Sequence, residues 1–486
     1  MSNDIFSELI NSTHLSKIVK QTQSLCFDEY EHINWYLEDI NEQVQMILMQ
    51  ERQISSFTLT ELVAGLSHDS HDIQLFAVWG IHSIGENLSI EQKTTVMPQL
   101  TTFLSHTQCE LRIATAFAIS NLKLPQSALL LSQILYEESE TSIIKCICYI
   151  LGIMGDKTAI PALMHLVKKA DASSIIAVET LGAIGNTQIV PDLLTLLQKN
   201  NKLAPELIGA IMETLGELKD RRAVPILITR LQKETDVTIR HHICTALGKI
   251  GDEQVIPTLI ALVKQADPSL FSVAIALSDI GNTTVIPILF EVLDRDDIPL
   301  RDREGVAIAL SEFDDEKIAL GLIRFLNRRN KIQNPTPDEI VFQHGIAMTL
   351  SRFNSNILIP DLLVIIDQLR NPTVCEWVVY AFRNIEPFNE SADILVNLLR
   401  DHPNAYIRGF AIKTLRDMFE KVTDEQIKKK VVNTLIKSLS DTRECVGLHG
   451  SYVGEAAANA LYRINTPEAQ QAIKDWESVT NNSGNT

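Results

Sequence analysis

The apolar positions along this chain repeat in blocks, and the blocks share a phrase. Leu151-Gly152-Ile153-Met154-Gly155-Asp156 leads to Ile160-Pro161, and Leu181-Gly182-Ala183-Ile184-Gly185-Asn186 leads to Val190-Pro191. The phrase returns at Leu247 to Asp252 before Ile256-Pro257, and at Leu277 to Asn282 before Ile286-Pro287. The prolines at 161, 191, 225, 257 and 287 are separated by 30, 34, 32 and 30 residues. A period of that size marks a solenoid, whose units bury their apolar faces only by stacking on one another. Within a block the apolar spacing is helical, and no segment sustains the alternation of a strand. Each block reads as two short helices. The first starts beside the proline, which the first helical turn tolerates. The second runs through Ile175–Leu181 in its block and stops at Gly185, where glycine suits a left-handed cap.

Taking the leucine of the phrase as a register mark places second helices at Ile81, Ile119, Leu151, Leu181, Leu215, Leu247, Leu277, Leu310, Leu350, Phe382, Leu415 and Leu461. That predicts about twelve helix pairs and an all-α chain. Projected at about 100° per residue, the positions four and one before the mark and three after it lie on its side. They are almost always apolar or small. Positions two before and two after point away.

The repeated phrase, the Ile-Pro starts, and an arginine just after the turn between helices (Asp236-Val237-Thr238-Ile239-Arg240) resemble HEAT repeats. The resemblance is to the short class named after phycobilisome lyases. The run from Ala457 to Ala469 looks like a typical last repeat of that class. The resemblance spans about residues 57 to 476. It implies a right-handed, HEAT/armadillo-like α-solenoid whose second helices line the concave side. It implies little about function, because such scaffolds carry many. Residues 1–56 read as a helical cap with Phe27, Tyr30, Trp35 and Tyr36. Residues 327–337 lengthen one inter-helix loop and are expected to hinge the array, and 477–486 form a polar, flexible tail.

The outward column two before the mark begins Trp79, Phe117, Tyr149 and turns to Glu179 and Glu213; near the end it carries Tyr380 and Lys413. Two readings of the aromatic start stand side by side. It is a stacking surface for a partner, or the lead-in helices fold over it. Arg352, Arg383, Arg416 and Arg463 fall one or two places after the mark, near Trp377 and Tyr380. Such guanidinium groups suit carboxylates or phosphates, or else pair within the chain, for example with Glu386 or Asp417.

Composition narrows the function classes. The 486 residues carry a formal charge of −18, which opposes non-specific nucleic-acid binding. The start lacks a secretory signal, and no apolar run is long enough to span a membrane. Seven scattered cysteines suit buried, reduced thiols in the cytoplasm. His68-Asp69-Ser70-His71-Asp72 could hold a divalent metal but reads better as a polar turn. Gly447–Gly454 lacks the ending of a phosphate loop and the central serine of a nucleophile elbow. No catalytic constellation emerges, and no cofactor is called for. The expected function is a non-catalytic scaffold that binds a protein partner with an acidic surface along the groove. The alternative is a phycobilin lyase or bilin-handling chaperone, which joins a tetrapyrrole to a cysteine of an acceptor and would use bilin.

Overall fold

The structure is a computed structural model, and it describes residues 13–24, 57–199, 203–313, 315–448 and 450–483. The four aromatic residues expected in the cap lie outside these. The chain divides into two units, Met1–Ile250 and Gly251–Thr486. Both are built of antiparallel helix pairs, and the fold is the expected all-α solenoid.

In the first unit, α1 (Thr13–Ser24) precedes six pairs: α2 (Leu59–Leu66) with α3 (His71–Gly85), α4 (Ile90–Phe103) with α5 (Cys109–Asn121), α6 (Ser127–Ile134) with α7 (Thr141–Met154), α8 (Ile160–Lys169) with α9 (Ala172–Ile184), α10 (Val190–Lys199) with α11 (Pro205–Leu218), and α12 (Val224–Lys233) with α13 (Val237–Ile250). The second unit repeats the plan: α14 (Ile256–Lys264) with α15 (Leu270–Ile280), α16 (Ile286–Leu293) with α17 (Leu300–Ser311), α18 (Glu316–Arg329) with α19 (Pro337–Leu350), α20 (Ile359–Gln368) with α21 (Pro372–Tyr380), α22 (Phe388–Asp401) with α23 (Ala405–Met418), and α24 (Glu425–Ser438) with α25 (Val453–Ile464). Helix α26 (Pro467–Ser483) follows.

The repeated phrase is the joint between pairs. Gly185 ends α9 with φ +72°, a left-handed turn that costs glycine little. Asn186 then caps a 3₁₀ turn, its Oδ1 accepting from Gln188 N at 3.0 Å, and Pro191 sits in the first turn of α10. Asp156, Asp220, Asp252 and Asn282 make the same bond two residues onward. The phrase therefore encodes stop, turn and restart.

All twelve register residues are buried, none more than 1% exposed. Each leucine so placed contributes roughly 2 kcal/mol relative to exposure, which only stacked neighbours can supply. The arginine after the inter-helix turn is structural too. Arg240 is 7% exposed, and its Nη1 donates to Leu231 O at 2.6 Å and Glu234 O at 3.0 Å. Arg303 and Arg408 likewise donate to carbonyls at the end of the preceding helix, satisfying acceptors that a helix terminus leaves open.

Among the described residues, one hairpin interrupts the helices. β1 (Glu444–Leu448) and β2 (Gly450–Tyr452) pair antiparallel in the glycine-rich insertion before the last pair. A side chain at Gly454 would place its Cβ 2.5 Å from Leu439 O, so only glycine fits there. Residues 330–336 join α18 to α19 as the lengthened loop. Among the described residues, no helix is long and apolar enough to cross a membrane.

Candidate functional site

The second helices stack side by side in each unit, and the column two before the register mark shows which faces they leave open. From Tyr149 onward every position in that column is half-buried or exposed: Glu179, Glu213 and Thr245 in the first unit, and Ile275, Ile308, Met348, Tyr380, Lys413 and Asn459 in the second. The helical projection identified an outward face correctly there.

Its start is different. Trp79 is 0% exposed and Phe117 is 5% exposed, which corrects the expectation that both project from the surface. The reason is α1, which packs across α3 and α5. Trp79 Nε1 donates to Thr22 Oγ1 at 3.0 Å, and Thr22 Oγ1 donates to Ile18 O at 2.8 Å. The Trp79 and Phe117 rings stack with centroids 5.8 Å apart at 28°, and Phe117 meets Tyr149 at 6.4 Å. These rings form a core ladder under a helical lid. Tyr149, at its end, is half-buried, and burial raises the pKa of its phenol, with Cys146 adding to the shift.

In the second unit the expected residues behave unequally. Trp377 and Tyr380, on α21, are both half-buried, with rings 5.5 Å apart and nearly perpendicular. His344 of α19 meets the Trp377 ring at 5.8 Å. Arg383 donates from Nη1 to the Tyr380 hydroxyl, and its guanidinium lies 5.3 Å from that ring's centroid. Its Nε is buried with no partner. From α23, Lys413 Nζ sits 5.9 Å from the same ring and 2.5 Å from Glu376 Oε1. Cations over aromatic faces gain about 0.5–2 kcal/mol, more as water is excluded. Histidine, tryptophan, tyrosine, arginine and lysine thus form one continuous surface over three successive second helices.

The other arginines are drawn elsewhere. Arg352 is exposed and pairs with Glu312 at 2.5 Å. Arg416 pairs with its neighbour Asp417 at 2.7 Å, the intramolecular partner considered from sequence. It also lines a small cleft between α23 and α25 with Lys413 and Asn459. Arg463 is exposed on α25.

A family model for HEAT repeats matches residues 204–278 and 227–311, less than half of the chain. Residues 204–311 are similar to HEAT repeats. No curated protein matches the chain in sequence. Among solved structures, importin beta crystallised in an ammonium sulfate condition aligns at 12% identity with a TM-score of 0.46, covering 89% of this chain and 65% of that one. This chain therefore spans just under two thirds of that protein's length. Karyopherin Kap121p, bound to the extreme C-terminus of the protein phosphatase Cdc14p, aligns at 12% identity and a TM-score of 0.49, covering 96% of this chain and 62% of that one. The CpcE–CpcF complex of phycocyanin lyase from Nostoc sp. PCC7120 aligns at 16% identity and a TM-score of 0.27, covering 60% of this chain and 94% of that one. At these identities the likeness concerns the fold alone.

The stacking of helix pairs also places residues that the sequence reading left aside. His344 lies one helical turn before Met348 of the outward column, so the period of the helix was the signal for it. Glu376 meets Lys413 across 37 residues, a pairing only the stacking of pairs creates. In the first unit, Glu179 faces Glu213 and Glu217, and burial with those two charges pushes its carboxyl up to about 7. Burial pushes the Cys148 and Cys375 thiols up to about 12, away from the thiolate form. His68 Nδ1 accepts from Ser70 N at 2.9 Å, the geometry of a turn. Among the described residues, no group of three or more His, Cys, Asp or Glu is placed to hold a metal ion.

Proposed function

We propose that the chain is a non-catalytic scaffold, and that the surface built by His344, Trp377, Tyr380, Arg383 and Lys413 binds a protein partner. The observation carrying this reading is a run of aromatic and cationic side chains that are half-buried, mutually ordered and still open to solvent. Ordered aromatic and arginine side chains lose little freedom on binding, which is why they dominate interface energies. Lys413 and Arg383 suit acidic partner groups, while Trp377 and Tyr380 supply apolar area and edges for packing. Arg416 and Arg463 extend the cationic side of the face toward α25, and Arg352 does so beyond α21. Tyr149 is a lesser contact in the first unit. In this reading Trp79 and Phe117 act only through the core. The free thiols, five of the six described ones buried, suit the cytoplasm as the compartment.

Quantitative affinity purification from the native cell tests the proposal. A partner captured by the wild-type chain should be depleted at least tenfold by Tyr380→Ala combined with Arg383→Ala, with unchanged helical circular dichroism. Equal recovery of every partner by the double variant overturns it. Co-expression with a bilin and a cysteine-bearing acceptor separates the reading from the phycobilisome-lyase class and its bilin cofactor. A coloured acceptor that requires this chain would replace the scaffold with a lyase.

A further inference from the structure

A strongly basic feature of this acidic chain lies away from the aromatic surface, among first helices of the second unit. A pocket of about 850 Å³ opens between α22 and α24 and the loop after α24. Six cations line it: Arg400, Arg408, Lys429, Lys430, Lys437 and Arg443. Asp441 is the one carboxylate among the lining residues. On α24 the positions 426, 430, 433 and 437 follow the helical spacing of a single face, so Lys430 and Lys437 rise from one stripe with Asn433 between them.

The charges are incompletely matched. Arg400 is held by Asp401 at 2.6 Å, and Lys430 pairs with Asp393. Arg408 and Arg443 share Asp441, at 3.1 Å and 2.9 Å. Lys429 and Lys437 are exposed and have no carboxylate partner among the described residues. Counting Asp393 and Asp401 as well as Asp441, three carboxylates face six cations. Arg408 forms the buried floor, 1% exposed, and its Nη2 has no hydrogen-bond partner. Burial works against its charge, so an anion in the pocket would be favoured by a cation already fixed in place. The loop is preorganised, since Gly454 N donates to Asp441 O at 2.9 Å and Val453 N to Arg443 O at 3.1 Å.

We infer that this pocket binds a compact, multiply charged phosphate compound. Its volume falls within the range of small-molecule sites, roughly 300–1,000 Å³. Lysines act as point charges toward phosphate and arginines add directed donors. A long nucleic-acid strand is disfavoured, because beyond the pocket it would meet Asp393, Asp401 and a chain of net charge −18.

Calorimetric titration of the full chain at about 0.1 M salt, where exposed charges still interact over roughly 10 Å, tests the inference. Tripolyphosphate should bind saturably at one site, more tightly than orthophosphate. Lys429→Glu with Lys437→Glu should weaken it at least tenfold, and these exposed positions leave the fold intact. Two results overturn the inference: no saturable binding of tripolyphosphate, or equal binding by the double variant. Tighter binding of a single-stranded oligonucleotide than of tripolyphosphate would overturn the compact-anion assignment. Because neither lysine belongs to the Tyr380 surface, loss here leaves partner capture unchanged, and the two sites fail independently.

Discussion

Single residues decide where each helix pair turns and how the first unit answers to pH. Gly185 holds φ +72°, and nothing lies within 4 Å of where its Cβ would be. Gly185→Ala therefore adds no clash and isolates the backbone term, a loss of about 1 kcal/mol seen as a lower denaturation midpoint. Glu179 contributes one pH dependence. Its folded-state pKa is raised from 4.5 to about 7 by burial and by the charges of Glu213 and Glu217. The folded chain then binds this proton more tightly than the unfolded chain does. The resulting stabilisation is complete below about pH 4.5 and is lost as pH rises through about 7. Glu179→Gln should flatten that fall in urea-denaturation midpoints measured across the same range. An unchanged slope would assign the effect to other groups.

At the scale of elements, the helical period carried most of the fold. The register residues, the glycine stops and the proline restarts were all legible, because local backbone chemistry writes them. The outward column was legible from Tyr149 onward for the same reason. Trp79 and Phe117 were not, since a projection of α3 or α5 contains no record of α1 lying across them. Lys413 with Glu376 and His344 with Trp377 were hidden likewise, being meetings of separate pairs. The basic stripe of α24 was present in the sequence but gained meaning only when α22 and the loop at Asp441 closed a pocket over it. The lid gives a prediction of its own. Ile18 is 1% exposed, so Ile18→Asp buries a charge at no partner and should release α1. Hydrogen exchange should then speed up in α1 while α7 and α9 keep their protection. Protection retained in α1 would mean that other contacts hold it.

For the whole molecule, the solenoid keeps two kinds of surface apart in its second unit. Second helices present an ordered aromatic and cationic face, and first helices enclose a basic pocket, within a chain of net charge −18. Local charge, not net charge, then sets what each surface accepts. The central claim is that the Tyr380 surface is where a protein partner binds. The most direct test is the dissociation constant of the purified partner for wild type, Tyr380→Ala, Arg383→Ala and Arg352→Ala. Truncating an interface anchor costs about 2 kcal/mol, or roughly thirtyfold in affinity, and that is the loss predicted for Tyr380→Ala and Arg383→Ala. Arg352→Ala, which removes an exposed pair with Glu312, should change affinity by less than about fivefold. Unchanged affinity in both Tyr380→Ala and Arg383→Ala would contradict the claim.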